Sequence, residues 1–286
     1  MYIIKSSGKR VKFSPNRIKR TCLKAGANRE LALKVTIEIE KRIHDGIKTQ
    51  EILKLVLKLL GENNPLAATR YNLKQAMLEL GPAGFVFEEF IKRLLFLYGY
   101  ETQLPDILPG ACVEHEIDII AKIKKGKNDY CLNELTNQDR AYMIECKYHN
   151  DPLTRTGLKD ALCIWARFLD LKDAWRQEIG QKFDFSWLIS NTKFSESAIQ
   201  YANCKEIKLL GWHYPQNTGL EFLVENKKFY PITILRSLGR ELKNKLFAHN
   251  IITCRDLICL KENFQNNNIK KSIQEAKLIL GNSDLC

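Results

Sequence analysis

Tyr142-Met143-Ile144-Glu145-Cys146-Lys147-Tyr148 is the stretch whose reading decides the fold. Polar and apolar residues alternate in it, so as a strand it sets Glu145 and Lys147 on one face and Ile144 and Cys146 on the other. The preceding apolar stretch, Glu114-His115-Glu116-Ile117-Asp118-Ile119-Ile120, carries Asp118. Side by side in one sheet, the two segments bring two carboxylates and an ammonium to one spot. Phosphodiester hydrolysis needs that set: carboxylate oxygens hold a hard cation, and the lysine orients water and offsets phosphate charge.

The tripeptide alone is not selective, because Glu-x-Lys also occurs at Glu206, Glu225, Glu241 and Glu275. Glu241 and Glu275 lie in helical patterns, Glu225 precedes a second lysine in a turn, and Glu206 has no aspartate-ended strand just before it. Only Glu145 has such a partner. The competing reading is a surface ion pair on an edge strand.

Gly84-Phe85-Val86-Phe87-Glu88 opening a helix, Gly99-Tyr100 ending it, then Glu116-Ile117-Asp118 and Glu145-Cys146-Lys147, resemble an Mrr-like restriction endonuclease domain of the PD-(D/E)XK class. The resemblance runs on through Ala166-Arg167-Phe168-Leu169-Asp170, Leu188 to Ser195, and Leu209-Leu210-Gly211-Trp212. It implies an α/β fold with a mixed sheet flanked by helices. It also implies that Asp118 and Glu145 bind Mg²⁺ or Mn²⁺, that Lys147 serves water and phosphate, and that Glu88 assists from the first helix. The polar stretch from Lys124 to Arg140 predicts an enlarged hairpin between the two strands.

Earlier in the chain, Ile3 to Phe13 reads as two short strands around a Ser-Gly turn. Ser14 is placed to cap a helix with Pro15 in its first position. A second helix carries Leu31, Val35 and Ile39; a third, from Thr49, puts Ile52, Leu55, Val56 and Leu59 on one stripe; Asn64-Pro65 starts a fourth. This hairpin and helical bundle, with Lys5, Gly8, Arg17-Ile18, Thr49, Tyr71 and Leu80-Gly81-Pro82, resembles an ATP-cone, the nucleotide-sensing module of ribonucleotide reductases and their repressors. The resemblance places Lys5, Gly8, Lys9, Arg17 and Thr49 at a purine nucleoside triphosphate, ATP or dATP. Ser6 stands where a basic residue often follows the first lysine.

The formal charge of +12 is uneven: residues 1–82 hold 17 Lys and Arg against 7 Asp and Glu, whereas residues 83–230 hold 19 against 21. A basic N-terminal module suits a triphosphate or a nucleic-acid backbone, and equally a solvated lysine-rich surface. Nine cysteines without a C-x-x-C pair exclude a zinc ribbon and predict reduced thiols in a cytoplasmic protein. No apolar run is long enough to span a bilayer, so no membrane partner is expected.

Past residue 231, Leu235, Leu238, Leu242 and Leu246 repeat at helical spacing, and Thr253 caps a second helix. The pair fits either a helix-hairpin-helix-like DNA contact or a cover for one edge of the sheet. His115 is expected near the site without ligating, Trp165, Trp187 and Trp212 in the core, and Lys159 near a phosphate.

The expected organisation is an ATP-cone over 1–82, a restriction-endonuclease-like domain over 83–230 and a helical tail over 231–286. The expected function is Mg²⁺-dependent DNA cleavage that responds to a nucleotide through a homo-oligomer, in defence against foreign DNA. Its rival is a non-catalytic nucleotide-sensing regulator that binds DNA through a silent nuclease fold.

Overall fold

A computed structural model describes residues 1–5, 8–81, 84–104, 107–131, 134–260 and 267–281. The turn expected at Ser6 lies outside them. The chain forms two compact units: Met1–Ala76 with Ile234–Leu238 and the chain from Leu257 on, and Met77–Thr233 with Gly239–Asp256. Packing therefore divides the segment expected as a single tail, 231–286, between the units.

The first unit opens with β1 (Tyr2–Ile4) and β2 (Arg10–Lys12), antiparallel as the hairpin pattern predicts. Next come α1 (Pro15–Lys24), α2 (Arg29–Arg42), β3 (Ile47–Lys48), α3 (Thr49–Asn63) and α4 (Pro65–Leu78). The two-residue β3, which no sequence period announces, pairs in parallel with β1 and completes a three-stranded sheet in the order β2-β1-β3. Ser14 does stand at the N-cap of α1 with Pro15 after it, but its side chain makes no capping hydrogen bond. Asn28 and Asn64 cap α2 and α4 instead, accepting from Leu31 N and Ala67 N.

On α3 the buried stripe is Ile52, Val56, Leu57 and Leu60, with Leu55 and Leu59 at its margin. The buried face keeps Ile52 and Val56 of the expected stripe but is turned by less than a quarter turn, so that the i, i+4, i+8 row begun by Ile52 ends at Leu60 with Leu57 beside it. These side chains join Val35, Ile39, Cys22 and Ile18 in one core.

The second unit is built on a five-stranded mixed sheet whose strands lie side by side in the order Lys208–Leu210, Phe185–Ser190, Arg140–Lys147, Ile119–Ile123 and Glu101–Gln103. In chain order it has α5 (Gly84–Leu97), β4 (Glu101–Gln103), the hairpin β5 (Ile107–Pro109) and β6 (Glu114–Glu116), and β7 (Ile119–Ile123). A small hairpin, β8 (Asn128–Asp129) and β9 (Glu134–Leu135), forms the expected enlargement before β10 (Arg140–Lys147). After these come β11 (Arg155–Thr156), α6 (Leu158–Arg176), β12 (Phe185–Ser190), β13 (Lys193–Phe194), α7 (Glu196–Lys205), β14 (Lys208–Leu210) and α8 (Leu220–Asn226). Strand β10 is central, parallel to β12 and antiparallel to β7. Glu206, the one other Glu-x-Lys near a strand, lies in left-handed conformation as the C-cap of α7.

The faces of β10 divide as its alternation predicts. Met143 joins Ile164, Phe168 and Leu171 of α6 and Ala198 and Ala202 of α7 in one core, with Leu188 and Leu209 from the neighbouring strands. Tyr142 packs its ring against Tyr100, Phe185 and Trp187. Trp187 and Trp212 are buried, as expected, and Trp165 packs on Phe168.

The later helices are α9 (Arg240–Ala248), α10 (Cys254–Ile258) and α11 (Asn267–Leu280). The helix expected from Leu235 begins only after Gly239, which stands at its N-cap. Thr253 caps α10 as predicted: Asp256 N donates to its Oγ1 at 3.2 Å, and its own N donates back to Asp256 Oδ2 at 2.9 Å.

In the first unit Glu275 of α11 accepts from the backbone N–H groups of Arg236 and Ser237 at 2.9 and 3.0 Å. Among the described residues, Cys22, Cys112, Cys131, Cys146, Cys163 and Cys204 carry no disulfide, but Cys259 is disulfide-bonded, which corrects the expectation of wholly reduced thiols. Among the described residues, no helix is long and apolar enough to cross a membrane.

Candidate active site

The antiparallel register of β7 and β10 pairs Ile119 with Ile144, so Asp118 comes opposite Glu145 at the end of the ladder. Asp118 Oδ2 accepts from Cys146 N at 2.6 Å, which ties the first carboxylate to the strand carrying the second. Glu145 is 6% exposed. Its Oε1 accepts from Lys147 Nζ at 2.6 Å, and its Oε2 from Arg167 Nη1 of α6, also at 2.6 Å. Glu88, half-buried on α5, is close enough to feel the charges of Glu145, Glu116 and Lys147. The structure therefore brings together Glu88, Asp118, Glu145 and Lys147, and adds Arg167.

Electrostatics mark this spot. Burial, then the charges of Glu145 and Glu88, push the Asp118 carboxyl up to about 7, against the opposing Cys146 N–H bond and Lys147. Burial and the neighbouring Glu116 and Glu145 likewise raise Glu88. Lys147 is lowered by burial but raised further by its hydrogen bond to Glu145 and by the charges of Glu145, Asp118 and Asp160, so its ammonium is favoured.

A stability effect follows from Asp118. Its native carboxyl titrates near 7 against an ordinary 3.8. The folded state thus keeps a proton that the unfolded chain releases, and stability falls as pH rises through that window. In EDTA, Asp118→Asn is expected to raise stability at pH 8 by about 1–2 kcal/mol, after allowance for water near a partly exposed carboxyl, and by nothing at pH 3.5. Urea melts at the two pH values check this.

Asp118 and Glu145 are oxygen donors of the kind a hard cation takes. Among the described residues, no group of three or more His, Cys, Asp or Glu is placed to hold a metal ion. Two carboxylates are a donor set that Mg²⁺ or Mn²⁺, which binds through one or two carboxylates and keeps several waters, would take, and structural zinc would not.

Helix α6 organises the hairpin that leads to Asp118. Asp170, one turn past Arg167, accepts from Cys112 N at 2.9 Å and contacts His115 Nε2 at 2.8 Å. Against burial, which raises it, the Cys112 thiol, His115 and the Cys112 and Val113 N–H groups hold the Asp170 carboxyl down at about 2. Arg167 Nη1 also reaches the Glu116 carbonyl at 3.3 Å. His115 is therefore a support beside the site, as expected.

Gly110 lies where a Cβ would come within 2.0 Å of Asp170 Oδ2 and 2.3 Å of the Val113 carbonyl. Gly110→Ala should therefore cost about 2 kcal/mol by overpacking, read as a lower midpoint in urea. An unchanged midpoint would show that the hairpin tip is not held by Asp170. Lys159, expected near the phosphate, is exposed on the first turn of α6 and makes no ion pair among the described residues.

In the first unit, β1 pairs with β3 so that Ile4 lies beside Lys48, which brings Lys5 alongside Thr49 at the start of α3. Lys5 N donates to Lys9 O at 3.0 Å and Gly8 N to Lys5 O at 2.9 Å. Gly8 has φ +77°, a left-handed conformation that favours glycine. Lys5, Gly8, Lys9 and Thr49 thus gather at one end of the small sheet. Arg17 stands exposed on the first turn of α1 and is not tied to them by any side-chain hydrogen bond among the described residues. Lys5, Lys9 and Arg17 have no ion-pair partner among the described residues, which leaves their charge available to a polyanion. A separate cavity of about 370 Å³, lined by Leu57, Gly61, Ala68, Arg236 and Leu278 among others, includes none of these residues.

Residues 1–74 match the ATP cone domain family, and residues 230–280 match the family described as AF1548-like, C-terminal. An uncharacterized protein of Archaeoglobus fulgidus is 39% identical over 195 residues, covering 66% of this chain and 99% of its own length. The crystal structure of a protein of unknown function, AF1548, is 38% identical with a TM-score of 0.55, covering 70% of this chain and 100% of that one. Fold and sequence thus define an ATP-cone protein, a nucleotide-binding module joined to a mixed α/β unit. The chain belongs to the AF1548-like family.

Proposed function

We propose that the second unit is a metal-dependent DNA endonuclease of the Mrr-like PD-(D/E)XK class, controlled by the nucleotide bound to the ATP-cone. One observation carries the reading: Asp118, Glu145 and Lys147 converge at the end of β7 and β10, and burying two neighbouring carboxylates there is costly unless a site uses them. Asp118 and Glu145 would hold Mg²⁺ or Mn²⁺, which when bound supplies Lewis acidity at the phosphate and a more acidic water.

The chain's own groups do the rest. Lys147, kept cationic by Glu145 and Asp118, aims its ammonium at the attacking water and the phosphate oxygens. Glu88, raised by burial and by Glu116, stands where it can hold a proton beside them. The second unit is slightly acidic, so attraction to DNA falls to bound cations and to the basic N-terminal module.

Nucleotide binding can change cleavage only if ATP or dATP prefers one arrangement or assembly of the protein, and a homo-oligomer is the simplest carrier of that preference. Defence against foreign DNA is the role such a controlled nuclease would serve. Supercoiled plasmid incubated with Mg²⁺ or Mn²⁺, with and without ATP and dATP, tests the reading directly. Metal-dependent nicking that requires Glu145 supports it. DNA binding without cleavage under every metal would favour the non-catalytic regulator.

A further inference from the structure

Arg167 has no role in the reading above, yet it makes the closest contact of α6 with the candidate centre. Both oxygens of the Glu145 carboxylate are engaged, Oε1 by Lys147 and Oε2 by Arg167, each at 2.6 Å. With the carboxylate 6% exposed and a cationic donor on each oxygen, a cation that takes Glu145 competes with these partners for it. Lys147 is anchored two residues along the same strand, whereas Arg167 arrives from α6 and has a second hold on the Glu116 carbonyl at 3.3 Å. Losing Glu145 therefore leaves the guanidinium at the site.

Charge balance points the same way. Glu88, Glu116, Asp118 and Glu145 interact as a group, and Lys147 and Arg167 offset only part of their charge. A divalent cation completes the balance, and a guanidinium released from Glu145 has unused donors. Its planar fork matches two oxygens of a phosphate.

We propose that Arg167 competes with the divalent cation for Glu145 Oε2 and, once displaced, binds the phosphodiester that the cation engages. This rests on the nuclease reading for the identity of the phosphodiester, but the competition at Glu145 does not. The backbone of α6 need not move, because Ile164, Phe168 and Leu171 hold it in the core while the long side chain rotates about its own bonds.

The test uses the full chain in three forms: wild type, Arg167→Gln and Arg167→Lys. Calorimetry with Mn²⁺ in the absence of DNA reads the competition. Removing a unit positive charge a few ångströms from the cation should tighten Mn²⁺ binding about tenfold in Arg167→Gln, and Arg167→Lys, which keeps the charge, should bind Mn²⁺ like wild type. Binding of a short DNA duplex in Ca²⁺ reads the second role. Affinity should fall about tenfold in Arg167→Gln and partly in Arg167→Lys, which lacks the fork.

Unchanged or weaker Mn²⁺ binding by a folded Arg167→Gln, in a wild-type protein that cleaves DNA, overturns the competition and spares the nuclease. Tightened Mn²⁺ binding with unchanged DNA affinity overturns the phosphate role. Tightened Mn²⁺ binding in a protein that never cleaves DNA upholds the competition and removes the nuclease. Should Arg167→Gln fail to fold, Arg167→Met, which keeps the length and removes the charge, takes its place: tighter Mn²⁺ binding with weaker DNA binding upholds the proposal, and any other pair of results overturns it.

Discussion

Glu145→Gln and Lys147→Ala should each lower Mg²⁺- or Mn²⁺-dependent cleavage of supercoiled plasmid by about 10³-fold or more, as expected when a cation ligand or the group serving the attacking water is removed. Glutamine is the better replacement at 145, because its amide oxygen still accepts one of the two cationic donors that converge there. Lys147 and Arg167 have about a third of their side-chain surface exposed and can turn to water, which limits the stability cost of either change. Melting curves recorded beside the cleavage assay separate the cases. Wild-type rates in either variant would remove the proposed centre, and loss of folding would return Glu145 and Lys147 to the status of a structural ion pair.

ATP or dATP should raise the melting temperature of the protein, since a ligand that binds only the native state stabilises by mass action. At one hundred times its dissociation constant the gain is about 2.7 kcal/mol. The residues proposed to hold the nucleotide are Lys5, Gly8, Lys9 and Thr49 at the end of the β2-β1-β3 sheet, together with Arg17 on α1. Lys5→Ala combined with Arg17→Ala should abolish the gain while leaving Glu145-dependent cleavage in place. A companion measurement, sedimentation with and without nucleotide, should show a shift in oligomeric state that the same double variant loses. Calorimetry that detects neither ATP nor dATP at millimolar concentration would reassign the basic charge of residues 1–82 to nucleic acid.

Much of this architecture is legible because periodicity reports which way a side chain faces. The alternation in Tyr142–Lys147 places Glu145 and Lys147 on one face, and the sheet puts Met143 of that face against α6 and α7. Asp118 is found by its place in the apolar stretch ahead of Glu145, although it stands just outside β7, and the ladder that pairs Ile119 with Ile144 brings it to Glu145. The hairpin enlargement, the Thr253 cap and the helices of the N-terminal bundle follow from local turn and capping chemistry.

Periodicity does not report what a face will meet. Arg167 and Asp170 are one helical turn apart on α6, a spacing common on any helix, and nothing local says that one will hold Glu145 and the other the hairpin before Asp118. The parallel pairing of β3 with β1 joins residues far apart in sequence through a two-residue strand, too short to carry a pattern. Likewise the buried stripe of α3 is set by its neighbours, which choose Leu57 and Leu60 over Leu55 and Leu59.

The sequence by itself determined the longer elements, the ATP-cone, and the residue types able to meet a cation and a phosphate. Only the tertiary structure decided that Asp118 is buried enough to titrate near 7, that Arg167 shares Glu145 with Lys147, and that the chain past residue 231 is divided between two units. The reason is physical: faces and caps arise from interactions within a few residues, whereas burial, charge pairing and domain membership depend on groups that only folding brings within reach.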